Sequence, residues 1–147
     1  SRRLPQPSWR VRRALMSRPM GTGTDAAVDW ILRVLRVIGS PAYPGHPQAM
    51  RDRALASVQR AWHPAGSARQ LLAVVADGDR STLLPHLQAP TLVIHGADDP
   101  LVPLACGEDL ARRIDGATTD FIPGMGHDLP EALLQRFAQG IADNARR

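Results

Sequence analysis

Two short segments near the end of the chain hold residue types that can do acid–base chemistry. The segment "IPGMGHDLP", Ile122 to Pro130, carries His127 behind Gly124 and Gly126. The segment "HGADDPLVP", His95 to Pro103, carries Asp98 and Asp99. An imidazole near neutrality can take or give a proton. It does so best when a carboxylate holds one ring nitrogen and fixes the tautomer. Two glycines ahead of His127 allow a tight turn that leaves the ring open toward a site. An Asp from the first segment could serve this ring, provided the fold brings the two segments together.

The elements flanking these segments predict that it does. "PTLVIHG" is a short apolar run rich in β-branched residues, bounded by Pro90 and Gly96, and reads as a strand over 91–95. Leu104 to Ile114 reads as a helix and Thr118 to Ile122, "TTDFI", as a second strand. Pro130 to Ala145 reads as a closing helix with Leu133, Leu134, Phe137 and Ile141 facing inward. Strand, helix, strand, helix implies two parallel strands joined by a crossover. Reacting groups in such sheets gather at the carboxyl ends of strands, which is where both segments lie.

Residues 1–80 read differently, as helices only. Ser8 is placed to cap a short helix ending at Met16 or Ser17, before Pro19. Thr24 is expected to cap a long helix that stops at Gly39 and Pro41, with Val28, Ile31, Leu32, Leu35 and Ile38 on one face. "SPAYPGHP" reads as a loop. A third helix is expected from Gln48 to Trp62. A fourth follows Pro64, carries Leu71, Leu72, Val74 and Val75, and closes at Gly78. Ser81 caps a short turn. The strand at 91–95 is apolar on both faces and should be central, yet the chain offers it one neighbour. The sheet is therefore expected to be incomplete, with an edge open to another polypeptide.

Composition narrows the function classes. A chain of 147 residues with 44% hydrophobic content can build a folded core. No apolar run reaches the roughly 18 residues of a membrane helix, and no membrane partner is expected. All 18 basic residues are arginine. Residues 1–80 hold 13 arginines against 5 acidic residues, a net of +8, whereas residues 81–147 have a net of −4. The arginines lie on helices with few aromatics for base stacking, so they read as solvated faces rather than a nucleic-acid surface. The single cysteine, Cys106, cannot form an internal disulfide and reads as a small buried residue. His95 reads as a packed or hydrogen-bonded residue, and His46, His63 and His86 as surface. No recognised ligand spacing links His95, Asp98, Asp99 and His127, so no metal is expected. The chain opens on "SRRLPQPSW", with neither Met nor a signal-like start. Ser1 is expected not to be the natural beginning, and a cytoplasmic location is expected.

"PTLVIHGADDPLVP" followed by "IPGMGHDLP" resembles the acid and base segments of the α/β-hydrolase superfamily. "HPAGSARQLLAVVADGDRSTLLPHLQAPTLVIHG" is similar to the stretch joining cap and core in its aclacinomycin methylesterase-like branch. The resemblance implies a helical cap over 1–80, followed by the last two parallel strands and helices of an α/β-hydrolase sheet over 81–147. The family spacing after Gly96 points to Asp99, ahead of Val102-Pro103, as the acid, with Asp98 at a variable position. Gly126-His127 matches the base. The family's nucleophile, in a Gly-x-Ser-x-Gly elbow, has no match here: "GTGTD" lacks the serine and Gly66-Ser67 lacks the flanks. The resemblance thus implies a C-terminal half that supplies two of three triad members. It implies a small-molecule ester as substrate, no cofactor, and no activity for the chain alone. Two alternatives accompany it. One is a non-catalytic binding or assembly module; the other keeps the fold with dehalogenase, epoxide hydrolase or haloperoxidase chemistry.

Overall fold

The computed structural model describes residues 4–147, with the side chain of Ser67 outside the description. The expectation about the chain start at Ser1 therefore lies outside the described residues. Helix α1, Trp9–Met16, begins where Ser8 Oγ accepts the Val11 amide at 3.4 Å. Helix α2 runs Thr24–Ile38. Its cap is Gly23 rather than the expected Thr24: Gly23 sits at φ 92, a conformation that glycine adopts without strain, and Thr24 is already helical. Helix α3, Pro47–Arg60, starts on a proline whose missing amide costs nothing there. α2 and α3 bury Ala27 and Val28 against Ala54 and Val58, with Ile31, Leu32, Leu55 and Trp62 partly covered around them. Arg51 ties the pair from outside, 2.7 Å from Asp29 and 3.4 Å from Asp25.

Helix α4, Pro64–Asp77, forms as the pattern predicts but meets no other element among the described residues. Leu71, Leu72, Val74 and Val75 are all more than half exposed. A 3-10 turn over Ser81–His86 leads into the sheet.

Strand β1, Leu92–Gly96, and strand β2, Thr118–Ile122, pair in parallel, with Leu92 opposite Thr118 and Gly96 opposite Ile122. Helix α5, Leu104–Arg113, is the crossover between them. A 3-10 turn over Glu131–Leu133 precedes helix α6, Leu134–Ala145. Ile122, Met125, Leu133 and Phe137 form the core beneath the strand ends. Leu134 and Ile141, expected to face inward, are 50% and 62% exposed. The reason is the rotation of α6. Its inward row is Leu133, Phe137, Gly140 and Asn144, spaced four, three and four residues apart. Gly140 lies against Leu92, where an added Cβ would meet Leu92 Cδ2 at 3.0 Å, and Asn144 donates to the Pro90 carbonyl at 3.0 Å. Leu134 and Ile141 stand one position, about 100°, past that row.

The two halves touch. Val11, Val34 and Ile38 form a third buried cluster that reaches Leu101 of the loop after β1.

Candidate active site

The parallel register sets the two chemistry-bearing loops side by side. Beyond the strand ends the ladder continues: the Ala97 amide donates to Ile122 O at 2.9 Å and the Asp98 amide to Met125 O at 3.0 Å. Gly96 permits this approach. A Cβ there would stand 2.3 Å from Met125 O and 2.5 Å from Gly126 O, far inside contact distance.

Asp99 is buried, its side chain 5% exposed. Oδ1 accepts the amides of Leu101 and Val102, both at 2.8 Å, which is how a turn aspartate behaves. Oδ2 lies 2.7 Å from His127 Nδ1. One carboxylate therefore both folds its own loop and holds the ring. An ionised carboxylate only accepts, so the network assigns the proton to Nδ1 and leaves the lone pair on Nε2. The ring is 43% exposed, and no side chain among the described residues bonds Nε2. A shallow cavity of about 370 Å³ opens here, lined by His127, Asp99, His95, Met125 and Leu129. A larger one, about 940 Å³, lies on the helical side between α1, α2 and the start of α3, and shares Asp128 with the first.

The other residues singled out in the sequence take different roles. Asp98 is turned away from the ring and accepts the Gly124 amide at 2.6 Å. His95 lies 2.8 Å from Val102 O, to which Nε2–H donates, and 4.0 Å from Asp99 Oδ2. His95 thus braces the acid loop from within, and Asp98 ties that loop to the base loop. His46, His63 and His86 are exposed. Cys106 is half-buried, and burial pushes its thiol up from the usual value, which weakens it as a nucleophile.

Sequence reasoning missed Ser40 and Asp128. Ser40 is buried at 7% exposure; its hydroxyl donates to Asp128 Oδ1 and accepts the Gly126 amide at 2.9 Å. Nothing in its local pattern, a serine between Gly39 and Pro41 at a helix end, distinguishes it from a loop residue. Its partners lie 86 and 88 residues away.

No protein-family model matches the chain. A relative named carbamate hydrolase RutD, from Caulobacter sp. (strain K31), is 48% identical over 54 residues. That match covers 34% of this chain and 20% of the relative. Serine hydrolase BPHL of Mus musculus is 34% identical over 61 residues, 42% of this chain and 21% of the relative. A crystallised serine hydrolase of carbazole degradation, CarC, superimposes with a TM-score of 0.57 at 17% identity. The superposition takes in 81% of this chain and 47% of that one. The chain shares the α/β-hydrolase fold with this neighbour and is similar over part of its length to hydrolases of that superfamily. Within this α/β-hydrolase fold, the matches take in about a fifth of the curated relatives' length and just under half of the structural neighbour's.

Proposed function

We propose that the chain supplies the acid and base of a serine hydrolase acting on carboxylic esters, with the nucleophile carried by polypeptide outside these 147 residues. The observation that carries this reading is the Asp99–His127 contact of 2.7 Å, with Nε2 unbonded among the described residues and beside a cavity. In the proposed reaction a serine hydroxyl attacks the substrate carbonyl while His127 Nε2 takes its proton. The imidazolium, held and compensated by Asp99, then protonates the departing alkoxide. Water repeats the sequence on the acyl-enzyme: His127 takes the water proton, the tetrahedral intermediate collapses, and the serine leaves with that proton. The names of the relatives, carbamate and serine hydrolase, support a reaction at an acyl carbonyl and make carbamates a second substrate class to assay.

In the same reading, residues 1–80 form a cap and residues 81–147 the last part of the core. The cap would limit substrate size through the 940 Å³ space beneath it. The partner would be a polypeptide that brings a Gly-x-Ser-x-Gly elbow and pairs with the open side of β1.

The test is hydrolysis of p-nitrophenyl acetate by the chain alone and by the chain combined with a polypeptide bearing the elbow. The chain alone should match its own His127→Ala variant. The combination should turn over ester, and His127→Ala should abolish that turnover. Activity of the lone chain that survives His127→Ala would refute the proposal.

A further inference from the structure

One hydroxyl grips the residue on each side of the base. Ser40 Oγ accepts the amide of Gly126, immediately before His127, and donates to the carboxylate of Asp128, immediately after it. Two backbone bonds frame this grip. The His127 amide donates to Ile38 O at 2.7 Å, so the base itself fills a carbonyl that the end of α2 leaves unpaired. The Ala42 amide donates to Gly124 O at 3.0 Å. Residues 38–42 and 124–128 are thus laced together along their length.

Two glycines let the layers close. A Cβ on Gly126 would stand 2.4 Å from Gly39 O, and a Cβ on Gly96 would stand 2.5 Å from Gly126 O. The end of α2, the base loop and the acid loop stack without side chains between them. Among the described residues, α2 and the turn after it contribute to this seam the Ile38 carbonyl, the Ala42 amide and one side chain, the Ser40 hydroxyl, which meet the His127 amide, the Gly124 carbonyl, and the Gly126 amide with the Asp128 carboxylate.

We propose that Ser40, through Asp128 and Gly126, is a positioning residue for His127. It fixes the base loop so that Nδ1 meets Asp99, and it makes the end of α2 part of the site's frame rather than of a moving lid. Removing the hydroxyl leaves the backbone bonds but frees Asp128 to turn to water and leaves the buried Gly126 amide without an acceptor. The loop then relaxes around His127, and the ring loses its fixed tautomer. This inference rests on the pairing used above, and its test is chosen to separate the two.

The test is ¹⁵N NMR of the His127 ring in this chain. In the native chain the Nδ1–H should give a slowly exchanging downfield resonance from a single tautomer. Ser40→Ala should broaden or erase it, with exchange faster by about tenfold or more, while amide shifts outside 38–42 and 124–128 stay put. Ser40→Thr, which keeps a hydroxyl, should retain it. Asp99→Asn should lose it by removing the acceptor. Should Ser40→Ala fail to fold, Asp128→Ala gives the same reading from the half-buried partner of the hydroxyl, with both tautomers populated. A resonance unchanged in Ser40→Ala but lost in Asp99→Asn overturns the positioning role and leaves the pair standing. A resonance absent from the native chain overturns both.

Discussion

At the scale of single residues, the site turns on a carboxylate with two duties. Asp99 ends its own turn through Oδ1 and holds His127 through Oδ2. Forming a turn and holding the base are duties that could compete for one side chain. The geometry makes them cooperate, because the turn is what aims the second oxygen. Asp98 is one residue away and addresses Gly124 instead. The two aspartates therefore should separate cleanly in an assay where the nucleophile is supplied. Asp99→Asn is expected to lower kcat by on the order of 10⁴-fold, since an amide donates to Nδ1 and selects the wrong tautomer. Asp98→Asn keeps an acceptor for the Gly124 amide and should cost less than about tenfold. Equal losses in kcat for the two variants would remove Asp99 from its proposed role. That the loops carrying Asp99 and His127 would meet was legible because both follow short strands whose parallel pairing could be read from their pattern. Ser40 was not legible, since its partners are fixed only once the helical half has docked.

At the scale of elements, close approach decides more than propensity does. Gly126 has an ordinary φ, so its need for glycine is one of space. Gly126→Ala would press a methyl carbon against backbone at Gly39 and Ile38, neither of which can swing aside. We expect a loss of about 1–3 kcal/mol in urea unfolding, together with loss of the His127 ring resonance. α5 carries a separate, pH-dependent contribution. Asp109 is buried on α5 and receives Arg113 Nε at 2.6 Å and the Arg112 guanidinium. The Arg113 hydrogen bond, followed by the charges of Arg113 and Arg112, holds its carboxyl below the ordinary range against the opposing effect of burial. A depressed folded value means the contribution is complete above the unfolded value of about 3.9 and is lost as pH falls through the folded one. The urea midpoint of the native chain should thus fall more steeply below about pH 4 than that of Asp109→Asn. Parallel acid profiles for the two would show that the pair adds nothing. Helix boundaries were largely readable from caps and prolines. Burial on α6 was not, because Gly140 and Asn144 settle its rotation by fitting against β1 and Pro90, and neither counts in an apolar pattern.

At the scale of the whole molecule, the sheet has two strands among the described residues, and one side of β1 is bare there. The bonds that bracket the ladder run from Thr118 N to Thr91 O and from Ala97 N to Ile122 O. Alternation between them sends the odd-numbered amides of β1 toward β2 and those of Leu92 and Ile94 toward the open side. α4 tells the same story from the helical half. The sequence showed its apolar residues Leu71, Leu72, Val74 and Val75, but a pattern does not state what covers them, and no described element does. A 14-residue helix without packing is marginal in water. Native-state hydrogen exchange should therefore rank the molecule. Val93 and His95 should exchange slowest, Leu92 and Ile94 much faster despite sitting in the same strand, and the amides of α4 near the unprotected rate. Adding the elbow-bearing polypeptide should then slow Leu92 and Ile94 selectively, because only a strand paired on the open side can bond those two amides. If Leu92 and Ile94 are already as protected as Val93 in the isolated chain, the edge is occupied by a second copy. Dilution should then restore their exchange, and the sheet would be completed by self-association rather than by a nucleophile-bearing partner.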